Sequence, residues 1–364
     1  MSAYTGPDAR MVNQFLEMVR IDSESGEEQA MMDYLLKAIP AQGGTAEQDA
    51  YGNLVARFPA RGSTGAAPVL LSCHADTVKP GKGIEPVIGA DGVIRSAGDT
   101  ILGADDKAGI AEVLDALRVA TVHPPVEFAV SRQEEVGLHG VKNLDFSRLT
   151  ARRGFLMDND TLDTIVVGGP SYFAIDVSIT GRAAHAGMEP EKGVNAIQAA
   201  ARAIAALRLG RLDQETTANV GVINGGMIRN GVPDRVSFLA ECRSGDHRKG
   251  AALAEEMAGI IREQVARNGA TVEVEVNNLC EAVTIPEDAW TVRIAQAALR
   301  TVGVEATPVL ITGFTDASIY NNQGIEMAVV GIGARDEHST TEHIAIADMQ
   351  RARDALVEML RLSV

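Results

Sequence analysis

Three cysteines in 364 residues, Cys73, Cys242 and Cys280, are too few and too scattered to form a framework. Their number is odd and no Cys-x-x-Cys occurs. This excludes a cysteine-built metal site and points to a reducing compartment. Long apolar runs are also missing, and none approaches the ~18 residues that a membrane span requires. The polar stretch 1–28 has no apolar segment of the kind a secretory signal carries, so a cytoplasmic protein is expected. Positive charge is scarce: 33 Lys and Arg stand against 49 Asp and Glu, a formal net charge of −16. Nucleic acid and anionic membrane are therefore not expected as partners. Internal repeats and low-complexity tracts are absent.

What is present is the balance of an ordinary globular protein, 46% apolar and 23% charged. The length suggests about two domains. Residues 8–19, 30–39 and 107–120 carry helical patterns, and 53–58, 69–73, 126–130, 155–157 and 164–167 read as strands. This βαβ rhythm implies α/β architecture with a mostly parallel sheet. Gly168-Gly169-Pro170-Ser171 is a breaker cluster and a hinge candidate. After it, strand 172–180, helix 194–207, strands 217–222 and 236–242, helix 250–268 and strand 271–276 follow in the order β-α-β-β-α-β. That is the split-βαβ order of a ferredoxin-like α+β domain. The first style returns with helix 289–301, strand 327–332 and helix 347–362. One domain, 1–171 plus 282–364, is expected to be interrupted by another, 172–281.

Chemistry-bearing side chains collect at strand ends. His74-Ala75-Asp76 follows the continuous apolar run 69–73, as at the end of a central parallel strand. Asp105-Asp106-Lys107 opens a helix, Glu134-Glu135 comes shortly after strand 126–130, Asp158 follows 155–157, and His338 follows 329–333. Taken singly, each has a plain structural explanation: a hydrogen-bonded pair, a helix cap, a solvated surface or a turn. Together they fall at the kind of edge where open α/β sheets keep their sites. Imidazole and carboxylate donors suit Zn²⁺, Mn²⁺ or Co²⁺. The set exceeds what one tetrahedral ion needs and suits two ions sharing a carboxylate, with a further carboxylate as general base. Glu134 and Glu135 divide naturally between those roles.

The motifs VLLSCHAD, LGADDKAGIA, SRQEEVGLHG, LMDND and EHSTTEH, in that order, resemble the co-catalytic (dinuclear) zinc peptidases, the family of peptidase T, carboxypeptidase G and aminoacylase. The resemblance spans nearly the whole chain. LGADDKAGIA and GRAAHAGMEPEKGVNAIQAA are most similar to the peptidase T-like tripeptide aminopeptidases. It implies a zinc-peptidase catalytic domain with an inserted lid and dimerisation domain, two divalent ions (zinc, with manganese or cobalt as alternatives) and a short-peptide substrate held between the domains. It further implies that His74, Asp105, Glu135, Asp158 and His338 bind metal, with Asp105 bridging and followed by a cis peptide bond. Asp76 would hold the His74 imidazole and Glu134 would be the general base. His338 opens a His-x-x-x-Glu pattern that ends at Glu342. His338 is preferred over His343, and Asp158 over Asp160 and Asp163. In the inserted domain the resemblance implies substrate contacts from His185, Asn230 and Arg243, with His185 polarising the scissile carbonyl, from the other subunit in dimeric relatives. His123, His139 and His247 are left as structural or exposed.

Two departures stand out. Phe314 occupies a position where Gly is common, which puts the pocket's shape in question, and Arg229 adds a cation beside Asn230. The expected function is metal-dependent hydrolysis of short peptides, releasing N-terminal residues from tripeptides, through a metal-bridged water activated by Glu134. A carboxypeptidase G-like or N-acyl-amino-acid deacylase activity is the alternative on the same scaffold. An inactive metal-binding member is the non-enzyme alternative, and the intact Glu134 argues against it. A homodimer through the inserted domain is permitted.

Overall fold

A computed structural model describes residues 4–364, which divide into two compact units. The first holds residues 4–168, 284–310 and 315–364, and the second holds 169–283 and 311–314.

Seven of the nine strands of the main sheet run in the order Thr45–Gln48, Leu54–Phe58, Val126–Ser131, Val69–His74, Arg153–Asn159, Glu326–Gly331 and Thr164–Gly169. Its centre is parallel: Val69–His74 lies between Val126–Ser131 and Arg153–Asn159, and Glu326–Gly331 extends the set. Every residue of Val69–His74 and of Val126–Ser131 is buried, which is why neither alternates in hydropathy. Leu71, Phe128, Phe155 and Val330 from these strands join one core with Phe15, Leu114 and Leu356 from helices. The sheet is mixed, however. Thr164–Gly169 runs antiparallel to Glu326–Gly331. Only residues 160–163 separate it from Arg153–Asn159, too short a link for the crossover a parallel partner would need.

A small antiparallel sheet, not foreseen from the sequence, orders Ala334–Arg335, His343–Ala345, Val93–Ser96 and Pro86–Ile88. Strands this short carry almost no periodic signal. The sheet matters because residues 336–342, which contain His338, form the hairpin connection between its first two strands.

The second unit is a five-stranded antiparallel sheet. Its four long strands are Ser171–Thr180, Thr216–Gly225, Arg235–Ser244 and Thr271–Cys280, in spatial order fourth, first, third, second. With helices Ala196–Ala206 and His247–Arg267 this is the expected ferredoxin-like βαββαβ arrangement. Phe173, Ile175, Val177 and Ile179 alternate into its core. They meet a stripe of Ala196, Ala199, Ala200 and Ala203, whose spacing puts them on one helix face. Asn195 and Asp246 cap the two helices by accepting first-turn amides.

Candidate active site

Five of the seven proposed catalytic-domain residues, His74, Asp76, Glu134, Glu135 and Asp158, lie at or just beyond the carboxyl ends of parallel strands. His74 ends its strand, and its neighbour in register is Ser131. Beyond Ser131 the chain turns through Gln133, in the left-handed region at φ 52°, and delivers Glu134 and Glu135. Asp158 is the penultimate residue of Arg153–Asn159. Asp105 lies at the start of helix Ala104–Val119, with non-helical backbone angles, and the Asp105–Asp106 peptide bond is cis.

These side chains converge on two groups that share one residue. His74 Nε2 is 2.9 Å from Asp105 Oδ1 and 3.4 Å from Asp158 Oδ1. His338 Nε2 is 3.1 Å from Asp105 Oδ2 and 3.0 Å from Glu135 Oε2. Asp105 thus presents one oxygen to each group, and each group brings three donors close enough to hold one ion. One imidazole with two carboxylates is a sound donor set for a borderline divalent cation. His343, Asp160 and Asp163 belong to neither group. The His343 ring instead faces the Thr341 carbonyl at 2.9 Å.

Asp76 does more than the sequence suggested. The His74 Nδ1 contact is to its backbone carbonyl at 3.0 Å, with the carboxylate at 3.6 Å. The carboxylate mainly accepts the amides of Glu134 at 2.9 Å and Glu135 at 3.2 Å, and the Ser25 hydroxyl at 2.7 Å. It therefore orients the Glu134–Glu135 turn as well as the imidazole. Buried Glu28 braces the same turn by pairing with Arg132 at 2.7 Å and accepting the Gln133 amide. Asp76→Asn is expected to lower turnover roughly 10–100-fold while most metal stays bound, as measured by turnover beside elemental analysis of the same sample.

The electrostatics follow from crowding carboxylates in a buried place. Burial raises Glu134 well above the usual carboxylate range, and Asp158, Asp316 and Glu135 reinforce the effect. Burial lifts Glu135 to about 7 and Asp158 to about 6. Asp105 and Glu135 hold His338 up at about 11. Burial opposes protonation of His74, but Asp105, Asp158 and Asp76 outweigh it and its pKa stands well above normal. Burial also opposes ionisation of Asp105, yet His338 and His74 keep its carboxyl below the usual range.

In the second unit, His185 and Asn230 lie together: His185 pairs with Gly231 across a short ladder, and the Asn230 carbonyl accepts the Ala186 amide at 3.0 Å. The His185 Nδ1 accepts the amides of Gly187 and Met188 at 3.2 and 3.1 Å, leaving Nε2–H exposed as a donor. Arg243 is elsewhere, near the far end of Arg235–Ser244. It pairs with Glu241 at 3.0 Å, donates to the Thr312 carbonyl at 3.1 Å, and lies over the Tyr172 and Phe314 rings at 4.6 and 5.5 Å. Phe314, the departure from the family pattern, stacks on Tyr172 at 5.2 Å between centroids. His247 meets the Ser171 hydroxyl, and buried His123 meets the Pro124 carbonyl, as structural histidines do.

Glu342, to which the sequence reading assigned no role, is 2% exposed and accepts four consecutive backbone amides, those of Leu102, Gly103, Ala104 and Asp105.

Known proteins resemble this chain over nearly its whole length. The Peptidase dimerisation domain model matches residues 171–268, and the Peptidase family M28 model matches 53–188. The structure of aminopeptidase PepT from Bacillus cereus is 36% identical, covers 97% of this chain and 98% of its own, and superposes with a TM-score of 0.87. A tripeptidase from Staphylococcus aureus is 34% identical over the same shares, with a TM-score of 0.92. Protein YqjE of Bacillus subtilis is 33% identical over 97% of this chain and 98% of its own length. No helix among the described residues is long and apolar enough to cross a membrane. Sequence likeness over nearly the full length, the inserted domain and the paired donor groups agree, and the chain belongs to the M20 peptidases, in their peptidase T-like branch.

Proposed function

We propose that the protein is a two-metal aminopeptidase that removes the N-terminal residue from tripeptides. The observation that carries this reading is the pair of donor groups joined through Asp105, with Glu134 on the turn that supplies Glu135. His74 and Asp158 would hold one ion, Glu135 and His338 the other, and Asp105 both. When bound, the ions supply Lewis acidity that brings a water's pKa towards neutral and polarises a carbonyl. Zinc fits this donor chemistry, with manganese and cobalt as competitors.

The protein's own groups do the rest. Glu134 takes the proton of the attacking water and returns it to the leaving amine. Asp76 fixes the direction in which Glu134 points. His185 donates from Nε2 to the oxygen of the scissile carbonyl as negative charge builds there. Asn230 and Arg243 grip polar groups of the peptide, with the Arg243 fork suited to a carboxylate. The place of His185 in the matched dimerisation domain supports a homodimer built through the inserted domain.

A panel of a free tripeptide, an N-blocked tripeptide, an N-blocked dipeptide and an acetylated amino acid tests the substrate assignment. Hydrolysis is expected for the free tripeptide alone. Preferential cleavage of the N-blocked dipeptide or the acetylated amino acid would replace the aminopeptidase reading with the carboxypeptidase or deacylase one.

A further inference from the structure

We infer that Glu342 is the positioning residue that holds Asp105 between the two donor groups, an inference that rests on the two-metal reading above. Each of its oxygens takes two amides: Oε2 those of Leu102 and Gly103 at 2.7 Å each, Oε1 those of Ala104 and Asp105 at 2.8 and 3.1 Å. Four converging donors leave the carboxylate no free face, so Glu342 is not itself a metal ligand. Successive amides can point at one anion because Gly103 adopts φ +70°, which curls the backbone into a concave nest.

Two connections make this more than a local staple. One of the four amides belongs to Asp105 itself, the residue whose two carboxylate oxygens serve both groups. A shift in its backbone would displace a ligand of both ions together. At its other end, Glu342 lies in the same hairpin connection as His338, and the following strand, His343–Ala345, pairs with Val93–Ser96 just before the Asp105 loop. The carboxylate thus ties the loop of one ligand to the loop of another. Bonds to a charged acceptor are roughly twice as strong as neutral ones, which suits a tie that must hold close geometry.

Glu127 supplies an internal control. It too is a buried carboxylate filled by donors, the amides of Thr150 and Ala151 and the Thr150 hydroxyl, but it touches no member of either group. Glu342→Gln, Glu127→Gln and wild type should be stripped of metal and titrated with Co²⁺. Visible absorption reports ligand geometry and equilibrium dialysis reports affinity. Glu342→Gln is expected to bind Co²⁺ roughly 10–100-fold more weakly and to change the spectrum. Glu127→Gln should match wild type in both while losing thermal stability. If Glu342→Gln does not fold, Gly103→Ala, which disturbs the nest from the donor side, carries the same expectation. Wild-type affinity and spectrum in the Glu342 or Gly103 variant, or equal changes in Glu127→Gln, would overturn the inference. A wild-type protein that takes up no Co²⁺ would instead overturn the two-metal reading, and this inference with it.

Discussion

Replacing Glu134 by Ala will leave both ions bound and lower kcat by about 100–10,000-fold, the usual contribution of a positioned general base. The expectation follows from where the backbone places this residue. Its amide is tied to Asp76 and its carboxyl is buried, yet neither donor group includes it. Removing the side chain takes away the proton acceptor and leaves all five candidate ligands in place. Glu134→Gln keeps the shape and should lose nearly as much, which separates proton transfer from packing. KM should change little. Turnover near that of wild type, at full metal content, would falsify the assignment.

Asp105→Ala should be the most damaging ligand change, and its signature is stoichiometric. Asp105 is the one residue common to both donor groups, so its loss leaves His74 with Asp158 and His338 with Glu135, two donors each. Neither pair is expected to retain an ion through dialysis against buffer. His338→Ala removes a donor from one group only, so His74, Asp105 and Asp158 should still hold one ion per chain. Elemental analysis of the two variants beside wild type should therefore fall in the order two, one and near zero. Equal losses in the two variants would show that the groups do not act as separate sites joined at Asp105.

Much of this centre is legible in the chain because parallel strands announce themselves. Val69–His74 is buried on both faces, so it reads as an unbroken apolar run, and whatever follows it must lie at the sheet edge. The same logic exposes Asp158. Glu342 is invisible by comparison. Its partners are backbone amides, which are alike in every residue, and the nest depends on the backbone angle of Gly103. The short strands around 86–96 and 334–345 were missed because two to four residues carry no measurable period. The second role of Asp76 was hidden for a related reason: a carboxylate that accepts the amides of Glu134 and Glu135 looks, in sequence, like one that orients a histidine. Phe314 was visible as an oddity, but its stacking on Tyr172 beneath Arg243 depends on a fold that brings 311–314 against the second unit's sheet.

The separation of His185 from Arg243 has a consequence for how many chains a single peptide needs. Asn230 lies just before Arg235–Ser244 begins, His185 joins it there by pairing with Gly231, and Arg243 is eight residues along the strand, roughly 26 Å at the rise of a strand. A fully extended tripeptide reaches only about 11 Å. The span between the two residues of one polypeptide thus exceeds the length of a tripeptide. If both serve the reaction, each catalytic centre is assembled from halves held by different molecules, and dilution below the dimer's dissociation constant would switch the enzyme off with every chain still folded.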